Sequence, residues 1–142
     1  MPSRTVIRFI EKPDPATLKG IITIYRAHGW WKPSDKPALL KKIIEGSHCF
    51  AAAELDGRII GIGRAISDGV SDAYIQDMAV LKTERGSGAG RAILKALLAR
   101  LKKDGVNWVG LIAQDNSEPF YRKAGFKTLK KAQPMLSWNS YV

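Results

Sequence analysis

A strand, a glycine-rich turn and a helix in immediate succession constrain this chain more than any other stretch. Ala73-Tyr74-Ile75-Gln76-Asp77-Met78-Ala79-Val80-Leu81 reads as the strand, and Arg85-Gly86-Ser87-Gly88-Ala89-Gly90 as the turn. The helix begins within that turn and sets Ile93, Leu94, Leu97, Leu98 and Leu101 on one face at helical spacing. Glycines just ahead of a helix let the backbone approach a ligand closely. The unpaired N–H groups of the first helical turn then point at that ligand, and the helix dipole favours an anion there. The stretch therefore predicts a phosphate or pyrophosphate site, set against the plainer reading of a glycine-rich helix start that binds nothing.

The spacing narrows the ligand. A P-loop requires Lys and then Ser or Thr after its last glycine, and no such pair follows here. A dinucleotide fingerprint, G-x-G-x-x-G, started at Gly86 and Gly88 would place its third glycine at Arg91, and it belongs near a chain's first strand. The pattern Arg85, Gly88, Gly90 instead resembles the coenzyme A pyrophosphate loop of the GNAT N-acetyltransferase superfamily.

Composition bounds the remaining classes. A chain of 142 residues is long enough for one domain with a real core, and 45% apolar with 25% charged residues suits a soluble globular protein. Met1 to Ile10 carries Arg4 and Arg8 and no apolar run of signal-peptide length, and no stretch approaches the ~18 apolar residues of a membrane span. The lone Cys49 excludes an internal disulfide and a cysteine-rich metal site, and reads as a small buried residue. A cytoplasmic protein without a membrane partner is expected. The net charge of +10 suits anionic partners, but the basic residues are spread along the chain. Only Lys41-Lys42, Lys102-Lys103 and Lys130-Lys131 form tight pairs, so a nucleic-acid surface is not the favoured reading.

In order, Thr5 to Ile10 reads as a first strand and Ala16 to Ala27 as a helix with Leu18, Ile21, Ile22 and Tyr25 on one face. Ser34 or Asp35 is the expected cap of a second helix through Glu45. His48 to Leu55 and Arg58 to Ser67 read as strands joined at Asp56-Gly57, with Gly61 and Gly63 marking a bulge or close packing. After the helix that ends near Lys103, Val106 to Ala113 reads as a strand buried on both faces. Asn116 or Asp115 would cap a short helix through Ala124, and Phe126 to Leu136 offers a final strand or two. The pattern is that of a mixed α/β domain with an antiparallel hairpin half and a parallel crossover half.

A second motif follows the first. Asn116, the pair Phe120-Tyr121 and then Gly125-Phe126 resemble the other GNAT hallmark. Ala79-Val80, Arg85-Gly86, Gly88 and Gly90 supply the first hallmark at the expected distance upstream. One departure is Lys82-Thr83-Glu84, where the superfamily often has a proline. The resemblance implies a single domain over residues 1–142, with a central mixed sheet of about six to seven strands flanked by four helices.

It also implies a site. Acetyl-CoA would be the cosubstrate, its pyrophosphate held by the amides of Gly86, Ser87, Gly88, Ala89, Gly90 and Arg91 with the charge of Arg85 beside them. Met78, Ala79 and Val80 would present the strand edge to the pantetheine arm, which binds like an added strand, and the superfamily opens the cleft for that arm with a bulge in this strand and a splay from the next one. The Met78 N–H would stabilise the oxyanion of the tetrahedral intermediate. Asn116 would make a polar contact to the arm or simply cap its helix. Tyr121 would protonate the departing thiolate, against the reading that it packs with Phe120 and Phe126. Asp77, on the face of Ile75 and Ala79 if alternation holds, would bind the acceptor amine or take its proton through water. Its plain alternative is a strand-end salt bridge. Glu54 is a weaker candidate. Trp30, Trp31 and His28 lie where the superfamily places its acceptor-side wall, or else pack between helices, and His48 reads as structural or exposed.

The function so implied is an acetyl-CoA-dependent N-acetyltransferase acting by direct attack of a primary amine, with no metal. A small-molecule acceptor is favoured, because a basic chain repels lysine-rich tails. The superfamily often dimerises, which allows a homodimer, and the sequence leaves the oligomeric state open. The competing class is a basic module that binds nucleic acid or an acyl-CoA without chemistry.

Overall fold

The computed structural model describes residues 4–138. The chain divides into two compact units, Met1–Leu111 and Ile112–Val142. The larger carries β1 (Thr5–Phe9), α1 (Pro15–Ala27), α2 (Pro37–Gly46), β2 (Cys49–Leu55), β3 (Arg58–Ser67), β4 (Asp72–Val80), a 3-10 turn (Lys82–Glu84), α3 (Ala89–Lys103) and β5 (Trp108–Gly110). The smaller carries α4 (Glu118–Lys123).

Local chemistry sets the boundaries. The Asp14 carboxylate accepts the Thr17 N–H at 2.8 Å, and Pro15 supplies a fixed φ at the first helical position, so α1 starts there. Neither Ser34 nor Asp35 caps α2. Its cap residue is Lys36, without a side-chain bond, while the Asp35 carboxylate accepts the Lys32 N–H and closes the preceding turn. Pro37 is what fixes the start of α2. The β2–β3 hairpin turns on Asp56 and Gly57, with φ of 52° and 78°, the paired positive angles that suit a right-twisted two-residue hairpin.

The five strands are ordered β1-β2-β3-β4-β5, antiparallel throughout except for the parallel pair β4–β5 that the α3 crossover creates. The sheet is covered on both faces. Leu18, Ile21, Tyr25, Leu40 and Ile44 of α1 and α2 form one cluster with Phe50, Ala52, Ile62 and Ala79. The neighbours of Ile62 turn the other way. A Cβ at Gly61 would lie 2.9 Å from Ile93, and one at Gly63 would lie 2.8 Å from Ile93 and 3.2 Å from Leu97. Those glycines let α3 settle close to the sheet. Ile93, Leu94, Leu97 and Leu101 are buried as the helical spacing predicts, and Leu98 sits at the rim.

Two strand expectations need correction. Of Val106 to Ala113, only Trp108–Gly110 is a strand, and it pairs on one side only, over Asp72–Tyr74. It is not buried on both faces: Trp108 is 43% exposed, and Val109 and Gly110 are only partly buried. Phe126 to Leu136 contains no strand. Leu129, Met135 and Leu136 are all exposed, so no buried face specifies a register, and Pro134 lacks a ladder donor. The described sheet therefore has five strands rather than six to seven, with the four expected helices. No helix among the described residues is long and apolar enough to cross a membrane.

Candidate active site

The irregular point of the sheet is in β4. Ile62 lies opposite Ala79 and Arg64 opposite Gln76, so Asp77 and Met78 share a single partner position, Gly63. This is a β-bulge with its extra residue on β4. Asp77 takes φ of 54°, a left-handed conformation unusual for a side-chain-bearing residue. The bulge breaks the alternation on which Asp77 was expected to share a face with Ile75. Ile75 pairs with Ala65 on the α3 face, whereas the Asp77 carboxylate lies on the α1–α2 face.

That carboxylate is well held. Asp77 Oδ2 accepts the Arg64 Nε–H at 2.7 Å and the Tyr25 hydroxyl at 2.8 Å. Among the described residues no hydrogen bond reaches Oδ1. Arg64 also donates from Nη1 to Ser47 Oγ at 3.3 Å, and Ser47 donates to the Ile43 carbonyl at 2.6 Å. The cluster thus links α1, the end of α2, β3 and the bulge. Burial, and then the charge of Asp77, push the Tyr25 hydroxyl well above the ordinary tyrosine range, which keeps it a donor. Trp30 and Trp31 surround the Tyr25 ring at 5.8 and 6.2 Å between centroids, and His28 lies 5.0 Å from Trp30. The aromatic residues after α1 therefore gather around the residue that touches Asp77. Trp31 packs on the core and Trp30 remains largely exposed.

On the opposite face, the Met78 thioether sulfur occupies the space a Gly63 side chain would need. Beyond Tyr74, β4 pairs with no strand on its β5 side among the described residues, so alternate backbone groups along Ile75 to Val80 are left without a strand there.

The glycine turn follows. Gly86 and Gly88 have φ of 85° and 89°, and Gly88 is the cap residue of α3. No atom comes within 4 Å of a Cβ built at either. The Ser87 hydroxyl turns back to the Glu84 carbonyl at 2.6 Å. Among the described residues, the N–H groups of Gly86 through Arg91 meet no acceptor of the chain, and the first turn of α3 holds no acidic side chain. Arg85 and Arg91 are exposed beside them. A helix start with free amides, flanking cations and open space fits an anionic group such as a pyrophosphate.

In the smaller unit, the Tyr121 ring packs edge-on between Phe120 at 5.0 Å and Phe126 at 5.8 Å, and burial raises its hydroxyl above the ordinary range. Asn116 does not cap α4, and nor does Asp115. Both are left-handed turn residues, with φ of 60° and 52°, and Ser117 is the cap residue. Asn116 is exposed.

Other candidates have structural partners. Glu54 pairs with Arg8 at the far side of the sheet. His48 Nε2 lies 2.8 Å from Asp104 Oδ2, tying β2 to the end of α3, and this bond with that from Arg100 holds the Asp104 carboxyl below its usual range. Cys49 is buried, its thiol pushed up to about 11 by desolvation. Sequence reasoning did not single out Tyr25, Arg64 or Ser47. The available signal was Arg64, a cation between Gly63 and Ala65 inside the otherwise apolar run 59–66, which needs a partner where it is buried.

A family description, "Acetyltransferase (GNAT) domain", matches residues 23–135. Serotonin N-acetyltransferase 2, a chloroplastic protein of rice (Oryza sativa subsp. japonica), is 37% identical over 98 residues, 66% of this chain and 49% of that protein. An uncharacterized N-acetyltransferase of Chlorobaculum tepidum is 30% identical over 127 residues, 89% of this chain and 78% of its own length. The histone acetyltransferase TAP1 of Glycine max is 34% identical over 70 residues, 49% of this chain and 30% of that protein. The chain thus spans about half or less of the two relatives that are named for a substrate. A GNAT-family acetyltransferase from Streptococcus pneumoniae superposes with a TM-score of 0.80 at 24% identity, covering 97% of this chain and 100% of that one, a likeness of fold. With a family match over residues 23–135, most of its length, this chain belongs to the GNAT superfamily of acetyltransferases.

Proposed function

We propose that residues 1–142 act as one acetyl-CoA-dependent N-acetyltransferase that acetylates the primary amine of a small molecule. The observation that carries this reading is the continuity of β4 with the glycine turn. An open, bulged strand edge runs directly into a helix start whose amides are free. The turn would take the pyrophosphate, with Arg85 and Arg91 adding charge. Met78, Ala79 and Val80 would pair with the amides of the pantetheine arm. The thioester carbonyl would then lie near the Met78 N–H, which would stabilise negative charge developing on its oxygen as the amine attacks. Asp77 Oδ1 would receive the attacking ammonium or its proton through water. Tyr121, protonated at neutral pH, would supply the proton to the departing sulfur, and Asn116 a polar contact to the arm.

The acceptor follows from charge. A net +10 repels lysine-rich tails and leaves a small amine favoured. One relative is named for serotonin, a small amine, and another for histones, so both classes belong in the test. Release of free thiol from acetyl-CoA, measured over a panel of small amines and a lysine-bearing peptide, is expected to show turnover with a small amine. Turnover on the peptide alone would replace the small-molecule reading. Binding of acetyl-CoA without thiol release on any acceptor would make the chain a binding module.

A further inference from the structure

We propose that Tyr25 and Arg64 are positioning residues for the transfer: by gripping the Asp77 carboxylate from α1 and β3, they hold the β4 bulge in the left-handed conformation that aims the Met78 N–H. The inference deepens the acetyltransferase reading and rests on it.

The argument begins with the backbone. A side chain at φ of 54° is disfavoured by contact between its Cβ and the following carbonyl, and such a residue persists only where its surroundings over-determine it. At Asp77 they do. Both short hydrogen bonds converge on one carboxylate oxygen, from a strand on one side and a helix on the other. Arg64 is itself braced by Ser47, and Tyr25 is packed by two tryptophans. Met78, the next residue, is set by Gly63, where no side chain competes with its thioether. Asp77 and Met78 share the peptide bond whose N–H is the proposed oxyanion donor, so a change of φ or ψ at Asp77 swings that N–H directly. Asp77 is thus clamped for the direction of its backbone as much as for its charge. The second oxygen, Oδ1, remains available to the amine.

The two roles separate by substitution. Glycine adopts a left-handed φ without penalty and alanine does not, while both lack the carboxylate. If the clamp sets geometry, Asp77→Gly should exceed Asp77→Ala in kcat by on the order of tenfold, with similar KM for acetyl-CoA, because a misdirected donor affects the transition state more than binding. Tyr25→Phe and Arg64→Gln should each lower kcat by ~tenfold in the native background, and neither should matter in the Asp77→Gly background. The Met78 amide resonance should move in Tyr25→Phe and Asp77→Ala and stay near its native position in Asp77→Gly, with urea unfolding confirming that each variant is folded. Equal kcat for the glycine and alanine variants, or an unmoved Met78 amide in Tyr25→Phe, would overturn the clamp. A wild-type chain without turnover on any amine would instead sink the acetyltransferase reading, and the amide resonances would still decide whether the clamp exists.

Discussion

The glycine turn and the β4 bulge both place backbone in the left-handed region, and they reach it by opposite means. Gly86 and Gly88 do so with no side chain and, among the described residues, nothing within 4 Å of a Cβ at either. Asp77 does so with a side chain tied to two elements, beside a methionine seated over a glycine. The difference follows from what each place has to do. Where a ligand must come close, the chain removes atoms. Where one N–H must keep its direction, the chain adds contacts. Substitutions should therefore damage binding at the turn and turnover at the bulge.

The largest effect is expected at Tyr121. Tyr121→Phe keeps the ring packing against Phe120 and Phe126 and removes the proton donor, so kcat should fall by ~10²–10⁴ with little change in stability. Native turnover, measured where chemistry limits the rate, would leave Tyr121 as packing and return the comparison to the larger unit alone. Next, Gly88→Val combined with Gly90→Val should weaken acetyl-CoA by on the order of a hundredfold, the size of one or two lost hydrogen bonds to a charged group. Space is open at Gly88 but its φ of 89° strains a branched side chain, so urea unfolding should show a less stable variant that is still folded where affinity is measured. Unchanged affinity by calorimetry would show that the turn does not hold the ligand.

Gly63→Val sharpens the contrast from the other side. Its side chain must displace Met78 and Ile93, so urea unfolding should show a loss of about 1–3 kcal/mol, accompanied by lower turnover. A stable variant with full kcat would mean that Met78 needs no seat. Asp77→Asn tests charge alone, because asparagine tolerates a left-handed φ. It should lower kcat by about tenfold while acetyl-CoA affinity holds, and an unaltered pH–rate profile would return Asp77 to a salt bridge. The smallest effect is alkaline. The Tyr25 hydroxyl is raised above its unfolded value near ~10, so its contribution to stability is intact below that pH and falls as pH climbs toward the folded value. Unfolding free energy followed between about pH 9 and 11 should therefore decline more steeply in the wild type than in Tyr25→Phe. Parallel curves would show that the hydroxyl is not held.

The same contrast explains what the sequence reveals. A glycine turn is written in residue types, so Gly86, Gly88 and the apolar face of α3 are legible, as are the Asp56-Gly57 hairpin and the helix pair. The bulge is written in pairing. Nothing in Gln76-Asp77-Met78 distinguishes it from regular alternation, because the extra residue exists only relative to β3. For that reason Asp77 was expected on the face of Ile75, and Arg64 and Tyr25 passed as a strand residue and a core residue. Val106 to Ala113 misleads differently: apolar content predicts burial only where a partner extends far enough to cover it, and β5 pairs over three positions. In Phe126 to Leu136 the apolar Leu129, Met135 and Leu136 are exposed and specify no strand.

The short β4–β5 pairing also bears on how the chain avoids sticking to itself. An unpaired strand edge in the middle of a sheet is a template for another copy, and flat edges of this kind seed aggregation. From Ile75 to Val80 the edge is neither flat nor regular. The bulge at Asp77 and Met78 interrupts the spacing of its donors and acceptors and twists it, so a second copy's strand could match it for only a few rungs before falling out of register. A Met78 thioether held over Gly63 and a carboxylate held by Tyr25 and Arg64 keep that interruption in place, and with it a measure of protection against self-pairing.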